Sequence, residues 1–203
     1  MRSRPRLRLR RALRSASPFA AAAATVLAMT LVAGAHDTDL RDPDDTRGKL
    51  DIREVRLAHE TRTHRWTVVT FSKWGNRAMW DRGYVEVLLD TRRTELADYY
   101  LLVRTDRTAI KAGLWRLHHF GPDTFLGPVG VDRLSLRSVS VQVALGKLEI
   151  GEQRDAYRWW VHTVVTSEAC PRTCHDVAPN GDPVVQWLPG RSPSVTDSPS
   201  PTP

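Results

Sequence analysis

The chain has 203 residues and a formal net charge of +7, from 30 Lys and Arg against 23 Asp and Glu. Seven of the arginines lie within the first 14 residues, so residues 36–203 carry 23 charges of each sign. The basic character is therefore confined to the start of the chain. A charge-balanced remainder excludes a nucleic-acid partner that is bound through an excess of cations.

Residues 1–35 have the three parts of a secretory signal peptide. A basic head precedes an apolar run at 19–32, and the run ends in Ala33-Gly34-Ala35. Such a run is shorter than the roughly 20 residues of a membrane-spanning helix, and an A-x-A end is typical of a cleavage site. We expect cleavage after Ala35 and a secreted, extracellular chain that begins at His36 and has no transmembrane span. A leader that is retained as a membrane anchor is the alternative.

The two cysteines, Cys170 and Cys174, lie in the sequence Cys-Pro-Arg-Thr-Cys-His. Nearby cysteines usually pair outside the cytoplasm, and closing so small a loop gives about 2 kcal/mol of stabilisation. A metal or redox site with His175 is the alternative. Redox pairs normally have two intervening residues, however, and a zinc ion would need further ligands. The spacing therefore favours a structural disulfide bond that fixes the shape of one loop.

From residue 50 onward, short β-strand patterns follow one another between turn residues. The segments that are rich in β-branched and aromatic residues, or that alternate apolar and polar residues, are 50–58, 65–72, 83–90, 98–104, 112–118, 139–144 and 157–166. In the first of them, alternation breaks between Ile52 and Val55, which indicates a β-bulge. A Gly/Pro-rich loop is predicted at 121–130, and single helical turns at 74–80 and 145–151.

Many short strands without alternating helices predict an all-β fold, an antiparallel β-sandwich of the jelly-roll-like kind. We expect one sandwich domain over residues 36–190, which is long enough to bury about two-thirds of its unfolded surface. Residues 191–203 are mostly Ser, Pro and Thr, a composition that predicts a disordered tail. The mature chain is expected to be a monomer.

Two parts of the sequence are similar to a known group of β-sandwiches. An acidic turn at 42–48 leads into Leu50-Asp51-Ile52, and a late strand at 139–143 is followed by a short turn and the aromatic strand at 157–159. This layout resembles the DOMON-like and family 9 carbohydrate-binding-like domains, including those at the C-terminus of glucodextranase-type proteins. Short exported actinobacterial proteins have the same layout. The resemblance covers about residues 42–166 and implies a carbohydrate-binding-like sandwich. The calcium-linked version of the group often continues Asp-Pro with Gly-Asp, which this chain lacks.

The acidic turn contains the candidate metal ligands Asp42, Asp44 and Asp45, with Asp51 in the strand that follows. Calcium prefers about six to eight oxygen ligands on a flexible loop, several of them from carboxylates. The same sequence is also typical of a plain turn, because Pro fixes φ and Asp accepts hydrogen bonds from nearby backbone N–H groups. Calcium is thus the candidate cofactor, and the plain turn is the alternative.

Tryptophan is abundant in this chain, at positions 66, 74, 80, 115, 159, 160 and 187. An exposed indole ring suits the C–H face of a sugar, whereas the core of a sandwich buries most of its aromatic rings. Trp74 and Trp80 flank a loop that is rich in Gly, Asn and Arg, and we expect them to be the exposed ligand-binding pair. Trp159 and Trp160 are adjacent in a strand and should point to opposite faces.

The sequence has none of the usual catalytic motifs, such as Gly-x-Ser-x-Gly, His-Glu-x-x-His or a glycine-rich phosphate loop. His118 and His119 could form a base or ligand pair, but two solvated histidines are expected. The sequence therefore predicts a secreted, non-catalytic binding module whose partner is extracellular or cell-wall glycan. The alternatives are a structural or protein-interaction domain that binds an envelope protein, and a hydrolase with a dispersed site.

Overall fold

The computed structural model describes residues 37–60, 62–73, 83–105, 109–150, 155–167 and 170–188. The predicted signal peptide, the predicted tail and the predicted helical turn at 74–80 lie outside the described residues. The described strands are β1 Thr38–Arg41, β2 Ile52–Glu60, β3 Thr63–Thr70, β4 Gly83–Asp90, β5 Tyr99–Thr105, β6 Ile110–Arg116, β7 Thr124–Pro128, β8 Gly130–Arg133, β9 Ser138–Ala144, β10 Ala156–Ser167, β11 Cys170–Ala178 and β12 Val184–Trp187.

These strands form two antiparallel sheets that pack together as a β-sandwich, which confirms the predicted fold class. The five-stranded sheet has the order β1-β2-β3-β9-β8. The seven-stranded sheet has the order β11-β10-β4-β5-β6-β7, and β12 pairs with the first part of β10. Among the described residues, no helix is long and apolar enough to span a membrane.

The core lies between the two sheets and follows from period-two alternation. On β4, Val85, Val87 and Leu89 are buried, and the residues between them face outward. Trp66 of β3 and Trp159 of β10 are fully buried, and their rings meet edge to face with centroids 6.4 Å apart. Each ring comes from a different sheet, so this pair packs the two layers against each other. Trp160 is only partly buried, which confirms that the adjacent tryptophans face opposite ways.

The break in alternation in β2 is a β-bulge, as predicted. The register of β2 against β3 shifts between Ile52 and Glu54. Because one extra residue is accommodated there, Ile52, Val55 and Leu57 all reach the core and are fully buried. The bulge thus keeps the apolar side chains on one face despite their irregular spacing.

The disulfide bond between Cys170 and Cys174 is formed, but the pair lies in strand β11 and not in a separate loop. Val165 pairs with Cys174 and Ser167 pairs with Cys170, so β11 has two more residues than β10 between these pairs. The ladder between β10 and β11 continues on both sides of this irregularity. The cross-link therefore closes a bulge within the β10–β11 pair.

Two other expectations were wrong in part. Residues 121–130, predicted as a loop, contain β7 and the first residue of β8, because these strands lie at sheet edges and have little of the apolar alternation that marks buried strands. Gly127 has a φ of 128°, a left-handed conformation that favours glycine, next to the register shift between β6 and β7. The turn predicted at 145–151 is a 3₁₀ turn limited to Leu145–Lys147.

Candidate functional site

The acidic turn lies at one end of the sandwich, where the chain passes from β1 to β2 next to strand β11. Asp42 is held by a hydrogen bond from its own backbone N–H to the Arg53 carbonyl oxygen, 3.1 Å away. Asp42, Asp45 and Asp176 each place one carboxylate oxygen within 4.8 Å of the others. Asp176 is about 130 residues distant in sequence from the turn. It was not among the candidate ligands.

Hydrogen bonds fix the orientation of these carboxylates. Asp176 accepts hydrogen bonds from the backbone N–H of Ile52 at 2.5 Å and of Val177 at 2.9 Å. Asn180 donates its side-chain amide to Asp45 at 2.8 Å and to Asp42 at 3.3 Å. Both sheets therefore contribute to the position of this cluster, since Ile52 and Asp176 belong to different sheets.

Two buried carboxylate oxygens, one in the turn and one just after it, have no hydrogen-bond partner among the described residues. They are Oδ2 of Asp42 and Oδ1 of Asp51, on side chains of residues that are only 8 % and 2 % exposed. Leaving a buried polar atom unpaired costs about 1–3 kcal/mol, and more when the group is charged. These oxygens are therefore suited to a bound cation.

Burial and crowding raise the pKa values of the cluster. The pKa of Asp42 rises to about 7, chiefly because burial disfavours its charge and further because Asp176 and Asp45 are also negative. The pKa of Asp51 also rises to about 7, through burial first and then through its contact with Asp44. Burial likewise raises the pKa of Asp176. The cluster therefore favours uptake of positive charge, either as protons or as a metal ion.

The donor set suits a hard divalent cation. All the candidate ligands offer oxygen, and the described carboxylates form one group of Asp42, Asp45 and Asp176 and a contact between Asp44 and Asp51. Calcium accepts about six to eight oxygens in irregular geometry, whereas magnesium demands a near-ideal octahedron. Of the four residues that the sequence nominated, the structure thus brings Asp42 and Asp45 together with Asp176, and places Asp44 against Asp51.

The outer face of the seven-stranded sheet contains a second candidate site. Tyr100, Trp115 and Phe125 occupy facing positions on β5, β6 and β7. The rings of Tyr100 and Trp115 are nearly parallel, with centroids 6.1 Å apart, and those of Trp115 and Phe125 are 5.0 Å apart. Phe125 is 53 % exposed. Its ring fills the space that a side chain on Gly113 would take, because a Cβ there would lie 2.6 Å from the ring.

Three polar side chains in contact with one another lie on the same outer face, on strands β4, β10 and β11. His162 Nδ1 is 3.1 Å from Glu86 Oε2, and His162 Nε2 is 3.0 Å from His175 Nδ1. The carboxylate of Glu86 accepts a hydrogen bond from the Nδ1–H of His162, and in the neutral ring the lone pair therefore lies on Nε2. His162 can therefore accept a hydrogen bond from His175 or from a bound hydroxyl group.

Two adjoining cavities extend across the outer face of this sheet, from Phe125 to the polar residues Glu86 and His175. One, of about 430 Å³, is lined by residues that include Phe125, Gly113 and Lys111. The other, of about 800 Å³, is lined by residues that include Glu86 and His175. Leu102 and Arg104 line both cavities, so together they form one outer groove from β7 to β11.

The remaining sequence candidates lie elsewhere. Trp74 and Trp80, the predicted ligand-binding pair, lie outside the described residues. His118 and His119 are both exposed, and His118 Nε2 is 3.1 Å from the Thr124 hydroxyl. Neither histidine is among the described residues that line the outer groove.

The chain was also compared with known proteins. No protein-family model, curated protein or solved structure matches it.

Proposed function

We propose that this protein is an extracellular, non-catalytic binding module that holds a glycan chain in the outer groove of its seven-stranded sheet. The observation that carries the proposal is the placement of Phe125. Its exposed ring covers Gly113 at one end of a groove whose other end is lined by polar side chains. Because Gly113 has no side chain, the Phe125 ring can lie close to the backbone of the sheet.

The composition of the groove favours a sugar over a purely apolar ligand. Sugar rings have apolar C–H faces and a rim of hydroxyl groups. The aromatic end offers the exposed ring of Phe125, which packs on Trp115, to the C–H faces. The polar end offers Glu86, His175 and Arg104 to the hydroxyl groups. Because the groove crosses several strands, it can hold more than one sugar ring along its length.

Calcium supports this function by stabilising the fold. The two unpaired buried oxygens of Asp42 and Asp51 are the observation that favours an ion at the acidic turn. An ion bound by the turn and by Asp176 would join the β1–β2 connection to strand β11. In this role calcium is a structural cofactor that neutralises a crowded set of carboxylates.

An extracellular location agrees with the disulfide bond. Cysteine pairs persist in oxidising compartments, and Cys170 and Cys174 are bonded. The predicted signal peptide gives the same location, and calcium is plentiful there. Detection of the cleaved chain in the culture medium of the producing cells tests the location directly.

Glycan binding is tested by retention on insoluble polysaccharides. The protein is incubated with purified cell-wall peptidoglycan, chitin and cellulose, and the bound fraction is measured after sedimentation. We expect retention on at least one of them. We also expect Phe125→Ala to reduce the affinity about tenfold, since one aromatic contact contributes about 0.5–1.5 kcal/mol in addition to the area that it buries.

Phe120→Ala is the matched control, because it also removes an exposed phenylalanine. Phe120 is 98 % exposed and is not described as lining the outer groove. Its replacement should leave retention unchanged. Equal losses in the two variants, or no retention of the unmodified protein on any of the three polysaccharides, would contradict the proposal.

A further inference from the structure

The outer groove contains two cations that face each other across neighbouring strands. Arg104 of β5 pairs with Lys111 of β6 in the ladder between these strands, and both residues are exposed. Directly opposed residues of an antiparallel pair have their Cβ atoms about 4.5–5.5 Å apart on the same face, so like charges there destabilise the sheet. The placement of these two cations therefore costs the fold some stability.

The other charged pairs of the described ladders join opposite charges. Where Lys or Arg faces Asp or Glu across two strands, the pairs are Asp39 with Arg56, Arg41 with Glu54, and Asp90 with Arg158. Among the described ladders, Arg104 and Lys111 form the only pair of these residue types with the same charge. Both residues of this pair line the outer groove. The exception to the general pairing thus coincides with the proposed binding site.

The cation pair lies next to the aromatic end of the groove. Leu102 and Gly113 pair with each other two residues further along the same two strands, and the Phe125 ring covers Gly113. Residues two apart in a strand point to the same face and are about 7 Å apart. The positive charges therefore lie beside the position in which a sugar ring would contact Phe125.

The groove offers these cations little negative charge. Glu86 is the one acid among its described lining residues, and its carboxylate is already bound to His162 at 3.1 Å. Arg104 lines both cavities, and its guanidinium forms no hydrogen bond or ion pair with another described residue. Lys147 adds a third cation at the edge, since its ammonium is 3.4 Å from the carbonyl oxygen of Pro128, which lines the smaller cavity. The centre of the groove therefore attracts an anion.

We propose that the glycan held in the outer groove is acidic, and that Arg104 and Lys111 bind the carboxylate of a uronic acid. This inference rests on the proposed function and names the class of sugar. A guanidinium presents a planar fork that can donate two parallel hydrogen bonds to a carboxylate, and the lysine adds a second positive charge. Because the carboxylate of a uronic acid is attached to its ring, one sugar can place its C–H face on Phe125 and its charge on Arg104.

The test compares polyuronates with their neutral methyl esters, which keep the sugar chain and lose its charge. The chain from residue 36 onward is used, because it contains all the described strands and lacks the arginine-rich start, which would bind polyanions by itself. Its affinity for polygalacturonate, alginate and hyaluronan, and for the methyl ester of each, is measured by affinity gel electrophoresis. We expect binding to at least one polyuronate, with an affinity at least tenfold higher than for its ester.

Arg104→Gln tests the assigned residue. It should weaken binding of the polyuronate about tenfold or more, because hydrogen bonds to a charged group are lost, and leave binding of the ester unchanged. Arg53→Gln is the matched control, since it removes an exposed arginine from β2 in the other sheet and should not change either affinity. Arg104→Gln should also be at least as stable as the unmodified chain in urea unfolding, because the repulsion from Lys111 is relieved.

The outcomes separate this inference from the proposed function. Equal affinity for polyuronate and ester, an unchanged affinity in Arg104→Gln, or equal losses in Arg104→Gln and Arg53→Gln would overturn the acidic preference. So would a less stable Arg104→Gln variant, because the cation would then support the fold. In these cases the proposed function still holds if Phe125→Ala weakens the binding of a neutral polysaccharide. Binding to no acidic or neutral polysaccharide overturns both proposals.

Discussion

Replacement of Asp42 by Asn should stabilise the protein without calcium and destabilise it relative to the unmodified chain when calcium is present. Asn has almost the shape of Asp but no charge, so the packing at this buried position is kept. Oδ2 of Asp42 is buried and has no hydrogen-bond partner in the part of the chain that the structure describes, and the carboxylates of Asp45 and Asp176 lie near the Asp42 side chain. The substitution removes one of three crowded negative charges and supplies an amide that can donate to the other two.

The expected magnitude follows from these contacts. An unpaired buried acceptor costs about 1–3 kcal/mol, and we expect Asp42→Asn to remove the lower end of this cost, which raises the free energy of unfolding by about 1 kcal/mol in chelator. Calcium at 100 times its dissociation constant should stabilise the unmodified chain by about 2.7 kcal/mol. For a chain of this size, that corresponds to a rise in Tm of roughly 5–10 °C. The variant should lose most of this rise.

Thermal unfolding by circular dichroism at pH 8 provides the assay, with each protein measured in EGTA and in 5 mM calcium chloride. Asp132→Asn is the control, because Asp132 is an exposed carboxylate on β8, away from the turn. It should respond to calcium as the unmodified chain does. Two results would refute the reasoning: a Tm of the unmodified chain that calcium does not change, or an Asp42→Asn variant that is less stable in EGTA.

Two further substitutions test the groove and the fold. Gly113→Ala would place a methyl group 2.6 Å from the Phe125 ring, so the ring must move. We expect weaker retention on the polysaccharide that the unmodified protein binds. Because Phe125 is exposed, the free energy of unfolding in urea should fall by less than about 1 kcal/mol. Unchanged retention would contradict the assigned role of the ring. Asp98→Ala removes the carboxylate that accepts hydrogen bonds from the backbone and hydroxyl of Thr91 at 2.6 and 2.7 Å, and we expect a loss of about 2–3 kcal/mol in urea unfolding. A loss below about 0.5 kcal/mol would show that this turn is not held by Asp98.

The strands of the core could be predicted because every second residue in them is buried and apolar. Val139, Val141 and Val143 alternate with smaller or polar residues, and all three are buried in β9. The sheet edges lack this pattern. Strand β7 is almost wholly exposed, so its residues are constrained by backbone pairing and not by contact with the core. Backbone pairing does not restrict side-chain type, and hence it leaves no periodic signal.

In the candidate sites, residues that are close in sequence could be predicted, whereas residues that are brought together by the register of the sheets could not. Asp42 and Asp45 are close in sequence, so a turn alone brings them near each other. Asp176 joins them only because β11 passes beside the bulged start of β2, where its carboxylate meets the Ile52 N–H. The groove likewise depends on register, since Phe125 lies near Gly113 only through the pairing of β7 with β6. Register is fixed by the whole sheet, and a short stretch of sequence does not specify it.

Strand β11 connects the two sites in a way that neither site reveals by itself. Adjacent residues in a strand point to opposite faces, so Asp176 faces the acidic turn while His175 lines the outer groove. The Thr46 hydroxyl donates to the His175 carbonyl oxygen at 3.3 Å and thereby joins the turn to the backbone between them. An ion held by Asp176 would therefore restrict the same stretch of backbone that presents His175 to a ligand. If both proposals hold and calcium raises the affinity for glycan through this backbone, thermodynamic linkage requires glycan to raise the affinity for calcium by the same factor.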